Sequence, residues 1–360
     1  MNFDYSDEEK ALAEQARRFL ADRCPSDLVR ALLEGERRAE SAALWRSVAE
    51  LGWPAIAVPE DQGGVGFGHV ALCALAEEIG RAVAPLPMAS SIYLVADALA
   101  VGGSAEQRAT WLPCLASGEV TGAAALDPVA PPLTFAEGRL SGSVAAVAGG
   151  DAASVAIVSA RSDAGAGLFL VALDQAEVER VPVRTIDDSR PQARISFAGA
   201  LAERLGNGGL TVERLLARAA VPIAFEQLGG ADACLEMTLA YVRERRSFGR
   251  PVAGYQAVKH KLADIHVANQ LARANAYYAA WALAADAPEL ELAAATARVS
   301  ATEAYEFAAA EAIQLHGGIG FTWEADCHLH YRRSRLLAQM IEPVGWWQDA
   351  LVRALDRDAA

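Results

Sequence analysis

Hydrophobic and polar positions follow a helical period through the first third of the chain. Ser6 and Glu9 form a capping-box pattern, so we expect a helix from there to about Leu20. Ser104 has the same capping position before a later helical run. The further helical patterns cover residues 25–40, 41–51, 70–82, 88–100 and 105–119. We therefore predict an N-terminal helical domain over residues 1–119.

The period changes after residue 119, where short β-type runs replace the helical pattern. Gly, Pro and Asp separate these runs at the interval expected of a small sandwich or barrel. Examples of these runs are residues 152–159, 167–174, 178–183 and 193–197. We predict a middle β-sandwich or β-barrel domain over residues 120–205.

The helical period returns at about Leu210 and continues to the end of the chain. Long helices with one apolar stripe each pack as a bundle, and the alanines of residues 293–309 permit close helix approach. The predicted helices are 210–243, 256–286, 288–316, 326–341 and 344–356. The predicted fold class is α+β multidomain, with a C-terminal four-helix bundle over residues 206–360.

Composition excludes several classes of function. Among 360 residues, 53% are hydrophobic, which is enough for a sizeable core, and the net charge of −14 argues against a nucleic-acid partner. The five cysteines are scattered without CxxC spacing, so we expect reduced thiols and no zinc site. No signal peptide or membrane-spanning run is evident, which leads us to expect a cytoplasmic protein.

One glycine-rich stretch follows a long alanine-rich helical pattern. The pattern reaches Gln314 and His316 and then breaks on Gly317 and Gly318. Glycines at a helix end permit left-handed backbone and let another molecule approach the main chain closely. The alternative interpretation is an ordinary helix C-cap followed by a loop.

A second segment, Arg-Arg-Ser-Phe-Gly-Arg over residues 245–250, lies upstream and precedes a helix that begins near Gln256. Arg245, Ser247 and Phe248 could bind a nucleotide, because guanidinium and hydroxyl donors match a pyrophosphate and an aromatic ring packs against adenine or ribose. The alternative is that positive charge at a helix C-terminus offsets the helix dipole.

In order and spacing, the two segments resemble the C-terminal helical domain of the acyl-CoA dehydrogenases, flavoproteins that oxidise acyl thioesters. The loop over residues 51–66 and the pattern over residues 106–119 resemble the N-terminal domain of that family. The resemblance implies a three-domain fold and an FAD cofactor. It also implies an oligomer, because the FAD in this family lies mainly in a neighbouring subunit.

The resemblance assigns cofactor contacts residue by residue. Those matching the adenosine–pyrophosphate contacts of the family are Arg245, Ser247, Phe248 and Gln256 in one segment and Gln314, Gly317 and Gly318 in the other. The flavin-ring end departs from the family pattern. Residues 121–132 lack the usual hydroxyl donors, and residues 147–151 replace a Trp-containing contact region, so only backbone amides there could bind a flavin.

The base that removes the α-proton has more than one candidate position. A gap-free count from Gln314 places the usual glutamate at Ile341, one residue before Glu342. Counting back from Phe248, the position used by a minority of the family is Ala219, and Glu226 lies two turns further on. Glu213 lies in a similar but displaced motif. Glu226 and Glu342 are the candidates for the base, and the alternative for each glutamate is a solvated helix charge.

The expected reaction is α,β-dehydrogenation of an acyl-CoA to a 2-enoyl-CoA, with electrons passed to an electron-transfer flavoprotein. The assembly would be a homo-oligomer or an α2β2-type hetero-oligomer whose partner supplies the base and the flavin-ring pocket. Heteromers of this type act on bulky acyl groups such as steroid side chains or dicarboxylates. Other readings are a flavin-free scaffold and a flavoprotein with another reaction, such as a hydroxylase. His328 and His330 point in different directions on a helix, so no metal is expected.

Overall fold

A computed structural model of the chain describes residues 5–206 and 208–358. In chain order it contains helices, then strands, then helices, which confirms the predicted fold class. By compactness the chain divides into two units that do not follow this order. The first unit holds residues 1–31, 73–84 and 220–360, and the second holds residues 32–72 and 85–219.

The capping box predicted at Ser6 and the cap predicted at Ser104 are both present. The Glu9 amide donates to the Ser6 hydroxyl at 3.2 Å, and the Ser6 amide donates to the Glu9 carboxylate at 2.7 Å. Ser104 and Gln107 form a second box. A buried π-helical stretch, Ala89–Ala96, precedes α5. The helices are α1 Asp7–Arg23, α2 Ser26–Leu33, α3 Arg38–Glu50, α4 His69–Arg81, α5 Asp97–Gly102 and α6 Ala105–Ala116.

The strands of the second unit form one sheet in the order β6-β7-β3-β2-β4-β5-β8, with β1 parallel to β4. Buried side chains from β1 to β5 and from β7 form one core, which includes Phe169, Ile195 and Phe197. The β-type runs singled out in the sequence do not include β1 to β3. For β1 the reason is its composition of glycine and alanine, which have low β-propensity. The strands are β1 Gly122–Ala125, β2 Leu133–Ala136, β3 Arg139–Ala148, β4 Val155–Ser162, β5 Gly165–Ala172, β6 Val178–Val183, β7 Gln192–Leu201 and β8 Glu203–Arg204.

The C-terminal helices occur where the sequence predicts them. Helix α9 packs against α8, α10 and α11, and most of its alanines are buried, which allows the close approach expected from its composition. A small hairpin separates α7 from α8. These elements are α7 Val212–Glu244, β9 Arg246–Ser247, β10 Arg250–Pro251, α8 Gln256–Ala284, α9 Leu290–His316, α10 Cys327–Gln339 and α11 Val344–Asp358.

Four of the five cysteines are buried, and all are free thiols. Burial raises the pKa of the Cys24 thiol to about 12, so this side chain is a neutral core residue. Within residues 5–206 and 208–358, no helix is long and apolar enough to cross a membrane. The same residues contain no cluster of three or more His, Cys, Asp or Glu side chains placed to bind a metal ion.

A nearly buried ion cluster lies in the second unit at the start of α5. Arg218 donates to both carboxylate oxygens of Asp97, at 2.6 and 2.8 Å, and His69 Nε2 lies 3.0 Å from Asp97 Oδ1. Burial alone would raise the pKa of the Asp97 carboxyl, but these two partners outweigh it and lower the pKa to about 2. The ionised form of Asp97 is therefore the one that stabilises the fold.

Replacing Asp97 should produce a stability loss that depends on pH. Because the folded pKa is depressed, the contribution of Asp97 is fully present above pH 4 and disappears as the pH falls towards 2. We expect Asp97→Asn to lower the free energy of unfolding at pH 7 by at least roughly 2 kcal/mol, and this difference to shrink between pH 4 and 2. Urea unfolding at pH 7 and between pH 4 and 2 measures this difference in the free energy of unfolding. The exposed Asp61→Asn variant is the control. A difference that stays constant with pH would contradict this account.

Candidate functional site

Helices α7 and α9 contact each other inside the first unit at matched positions. The Gln227 amide donates to the Thr302 hydroxyl at 3.0 Å. One turn further along, Gly230 lies against Tyr305 so closely that an added Cβ would be 2.3 Å from the tyrosine ring. Both pairs are separated by 75 residues in sequence. The two helices therefore run parallel and in register at these positions.

The register is the same where both helices end. The Tyr241 hydroxyl donates to the His316 carbonyl at 3.1 Å, again with a separation of 75 residues. The two rings stack with centroids 4.4 Å apart and an interplanar angle of 22°. Tyr241 lies one turn before Arg245, and His316 immediately precedes Gly317. This contact brings the two segments that the sequence singled out to the same end of the unit.

The hairpin after α7 presents its charged and aromatic groups to solvent. Phe248 is 95% exposed and has a positive φ of 48°, which is uncommon for a residue other than glycine. The Tyr255 hydroxyl donates to the Ser247 carbonyl at 2.9 Å, and the Arg250 guanidinium stacks on the Tyr255 ring at 3.8 Å. Arg245 is also exposed. The Tyr255 contacts support the hairpin, and the exposed Arg245 and Phe248 side chains remain available to a ligand.

The glycine turn after α9 leaves open space along its backbone. Gly317 has φ 63° and ψ −141°, a conformation that residues with a Cβ rarely adopt. A Cβ added to Gly317 or Gly318 would meet nothing within 4 Å. Gln314 and Gln256 are exposed on the last turn of α9 and the first residue of α8. The turn therefore ends a helix and also leaves its main chain accessible, as the nucleotide-binding interpretation requires.

The first segment expected at a flavin ring is bonded within the second unit. The Gly122 amide donates to the buried Ser91 hydroxyl at 3.0 Å, and the rest of β1 pairs with β4. The Asp127 amide donates to the Ser159 hydroxyl at 2.8 Å. The Asp127 carboxylate accepts the next two amides, those of Val129 and Ala130. For these amides, the expectation that they could bind a flavin is wrong.

The second expected flavin segment has the same property. The Gly149 amide donates to the Pro191 carbonyl at 2.9 Å, and the Gly150 amide donates to the Val147 carbonyl at 3.1 Å. Gly149 has a φ of 69°, and an added Cβ would lie 2.9 Å from the Ser90 hydroxyl. The glycines here serve a tight turn packed against the π-helical stretch, and their amides have acceptors within the chain.

Glu226 lies at a crossing of two helix backbones in the first unit. A Cβ at Gly80 would lie 1.8 Å from the Glu226 carbonyl, and a Cβ at Gly229 would lie 1.8 Å from the Glu77 carbonyl. This close approach of α4 and α7 leaves Glu226 with 0% exposure. The solvated-charge alternative is therefore wrong for Glu226, and a substrate could reach its carboxylate only after local opening.

Glu342 lies on a turn whose backbone is held from both sides. Ile341 and Glu342 have φ values of 52° and 79°, and a left-handed isoleucine is sterically unfavourable. The Met340 carbonyl accepts from Arg298 at 2.8 Å, and the Ile341 carbonyl accepts from the Trp347 indole at 2.9 Å. The half-buried Glu342 is thus the more accessible of the two candidate carboxylates.

Arg298 joins this turn to α7 through a fully buried guanidinium. Its Nη1 donates to Gln227 Oε1 at 2.5 Å and to the Thr302 hydroxyl at 3.0 Å, and its Nη2 also donates to the Leu337 carbonyl. Burial lowers the pKa of Arg298 to about 9, so the group remains protonated at neutral pH. Its positive charge lies at the C-terminal end of α10, where a helix dipole favours it.

The remaining positions have no comparable role. Ala219 is buried and has no acidic group, so this chain has no base at the position that a minority of the family uses. Glu213 is exposed in the first turn of α7, as a solvated charge would be. Sequence reasoning missed Tyr241 and Arg298. Their signal was an aromatic residue one turn before Arg245 and a lone arginine among the alanines of α9, and neither pattern is specific alone.

Two family models match the chain. Residues 6–119 match the model described as acyl-CoA dehydrogenase, N-terminal domain, and residues 206–340 match the model described as acyl-CoA dehydrogenase, C-terminal domain. Together the matches cover more than half of the sequence. The C-terminal match contains both segments, which lie at the ends of α7 and α9.

Individual relatives agree with these matches. Acyl-CoA dehydrogenase IpdE2 of Mycobacterium tuberculosis is 34% identical over 337 residues, which are 93% of this chain and 93% of that protein. The solved structure of a variant of the Tcur3481-Tcur3483 steroid ACAD has a TM-score of 0.90 and 30% identity, covering 98% of this chain and 99% of that one. The crystal structure of the ChsE4-ChsE5 complex from Mycobacterium tuberculosis has a TM-score of 0.91 and 27% identity, covering 99% of this chain and 99% of that one.

Proposed function

Because the chain belongs to the acyl-CoA dehydrogenase family, we propose that it is a subunit of an FAD-dependent acyl-CoA dehydrogenase. In this proposal it binds the adenosine–pyrophosphate end of the cofactor. A different chain of the same family supplies the flavin-ring pocket and the base, so the enzyme is an α2β2-type hetero-oligomer. The observation that carries the proposal is the contrast between an open nucleotide end and flavin-ring segments in which the Gly122, Asp127 and Gly149 amides donate to acceptors within this chain.

The open end has the chemistry that an adenosine diphosphate group requires. The exposed Arg245 guanidinium would pair with the pyrophosphate, and the Ser247 hydroxyl would add a hydrogen bond. The exposed Phe248 ring offers a flat apolar surface to adenine or ribose. Gly317 and Gly318 leave room for the ligand to approach the main chain.

Three observations support a partner for the flavin-ring end. The amides of Gly122, Asp127 and Gly149 donate to acceptors within this chain. Glu226 is fully buried, and the minority base position is Ala219. The two solved structures named above carry the names of two chains each, and one of them is described as a complex.

The proposed reaction is formation of a 2-enoyl-CoA from an acyl-CoA, with electrons passed to an electron-transfer flavoprotein. Bound FAD would supply the hydride acceptor. The contribution of this chain is to hold the nucleotide so that the cofactor is fixed relative to the partner. A bulky acyl group such as a steroid side chain is the proposed substrate class, since one structural relative is named as a steroid ACAD.

Flavin content provides the first test of this proposal. Purified alone, the chain should show little flavin absorption between 300 and 600 nm, with less than about 0.1 FAD per chain, because it holds only one end of the cofactor. Co-expressed with its dehydrogenase partner, it should co-purify with FAD. A chain that alone binds about one FAD and oxidises acyl-CoA would contradict the partner-dependent proposal. An assembly without flavin would instead indicate a scaffold.

Arg245→Ala should weaken FAD binding by the co-purified assembly. Loss of one charge-assisted hydrogen bond to a phosphate corresponds to a weakening of about 10- to 100-fold. Flavin fluorescence titration of the FAD-depleted assembly measures the dissociation constant. Arg353→Ala, which removes an exposed arginine from α11, is the matched control and should leave the constant unchanged. Equal effects of the two variants would argue against a role for Arg245 in binding.

The two candidate carboxylates should be dispensable in the assembled enzyme. We expect Glu226→Gln and Glu342→Gln to keep kcat within about threefold, because in this proposal the partner supplies the base. Glu213→Gln, an exposed change on the same helix as Glu226, is the control. A loss of about 100-fold or more in either variant with FAD still bound would assign the base to this chain instead.

A further inference from the structure

Two helix ends meet through one pair of side chains in the first unit. Tyr241 and His316 stack face to face, and the tyrosine hydroxyl donates to the histidine carbonyl. That carbonyl belongs to the last residue of α9, where main-chain acceptors have no partner within their own helix. Tyr241 therefore completes the end of the neighbouring helix directly before Gly317.

The histidine ring is fixed by a second hydrogen bond. His316 Nδ1 lies 2.6 Å from the Ala312 carbonyl. Because a carbonyl oxygen can only accept, Nδ1 must carry the proton of this bond. The ring is buried, stacked on one face and hydrogen-bonded to its own helix, so it provides a rigid surface for Tyr241.

The same tyrosine is also connected to the other nucleotide segment. Its carbonyl accepts the Arg245 amide at 2.9 Å, which is the last hydrogen bond of α7 before the hairpin. The side chain of Tyr241 thus fixes the residue before Gly317, and its main chain fixes Arg245. One residue links the cationic segment to the glycine turn.

We propose that Tyr241 and His316 are positioning residues that hold the Arg245 hairpin and the Gly317 turn at the spacing one nucleotide requires. The inference rests on the proposed function, since it concerns the FAD site of that proposal. Neither side chain needs to touch the cofactor. Their contribution is to keep the two segments preorganised, so that binding does not have to order them.

A second tyrosine–histidine pair in the same unit provides a matched control. Tyr305, also on α9, has its hydroxyl 3.1 Å from His330 Nδ1, and both residues are buried. This pair does not include a residue of either nucleotide segment. Tyr305→Phe and Tyr241→Phe therefore remove the same chemical group from the same unit. Tyr305→Phe keeps the ring that lies against Gly230, so the α7–α9 register should remain and only Tyr241→Phe should affect the nucleotide.

The experiment compares FAD binding by the FAD-depleted hetero-oligomer carrying each variant. Tyr241→Phe should raise the FAD dissociation constant about three- to tenfold, as expected for loss of one neutral hydrogen bond. Tyr305→Phe should leave the FAD dissociation constant within about twofold of the wild-type value. This should hold even if Tyr305→Phe lowers the melting temperature as much as Tyr241→Phe does. With saturating FAD, kcat of the Tyr241→Phe assembly should match the wild type, because positioning affects assembly of the site and not the chemical step.

Each other outcome overturns a defined claim. Unchanged FAD affinity in Tyr241→Phe, or an equal loss in Tyr305→Phe, would overturn the positioning role and leave the proposed function intact. A wild-type assembly that binds no FAD would overturn both. Tyr241→Leu, which also removes the stacked ring, should weaken FAD binding more than Tyr241→Phe. A smaller loss of affinity in Tyr241→Leu would contradict a contribution of the ring stack.

Discussion

The in-register, parallel packing of α7 and α9 is the constraint on which the first unit depends. Contacts at Gln227 and at Tyr241 are 14 residues apart, so the register extends over about 21 Å of helix. A buried guanidinium, that of Arg298, fixes it at one end, and the Tyr241–His316 stack fixes it at the other. A shift of one residue would separate the two helix ends and the segments that follow them.

This constraint supports the proposal that one chain holds the nucleotide end of a cofactor site. The nucleotide segments follow directly from helix ends whose position is set by buried contacts, so they remain in place without the flavin ring. The segments around Gly122 and Gly149 instead use their amides for β-pairing and turns. In the proposed function, a chain organised in this way holds the cofactor together with a partner that binds its other end.

Much of the fold could be predicted from the sequence, because capping residues and helical period are local signals. The two motifs are local signals as well, and the nucleotide end that they indicate stays a prediction. Burial of Glu226 could not be predicted, since it results from Gly80 and Gly229 meeting across two helices. The strands near Gly122 were missed because alanine and glycine show no β-pattern. Tyr241 gained its role only from a contact with a residue 75 positions away.

Hydrogen–deuterium exchange during an FAD titration of the hetero-oligomer tests the central claim most directly. The amides of residues 245–256 and 314–318 should become protected together, at one half-saturating FAD concentration, because both segments hold the same nucleotide. The amides near Gly122 and Gly149 should not change. Protection of only one segment, or of the two segments at different FAD concentrations, would contradict the claim that the segments at the ends of α7 and α9 form a single site.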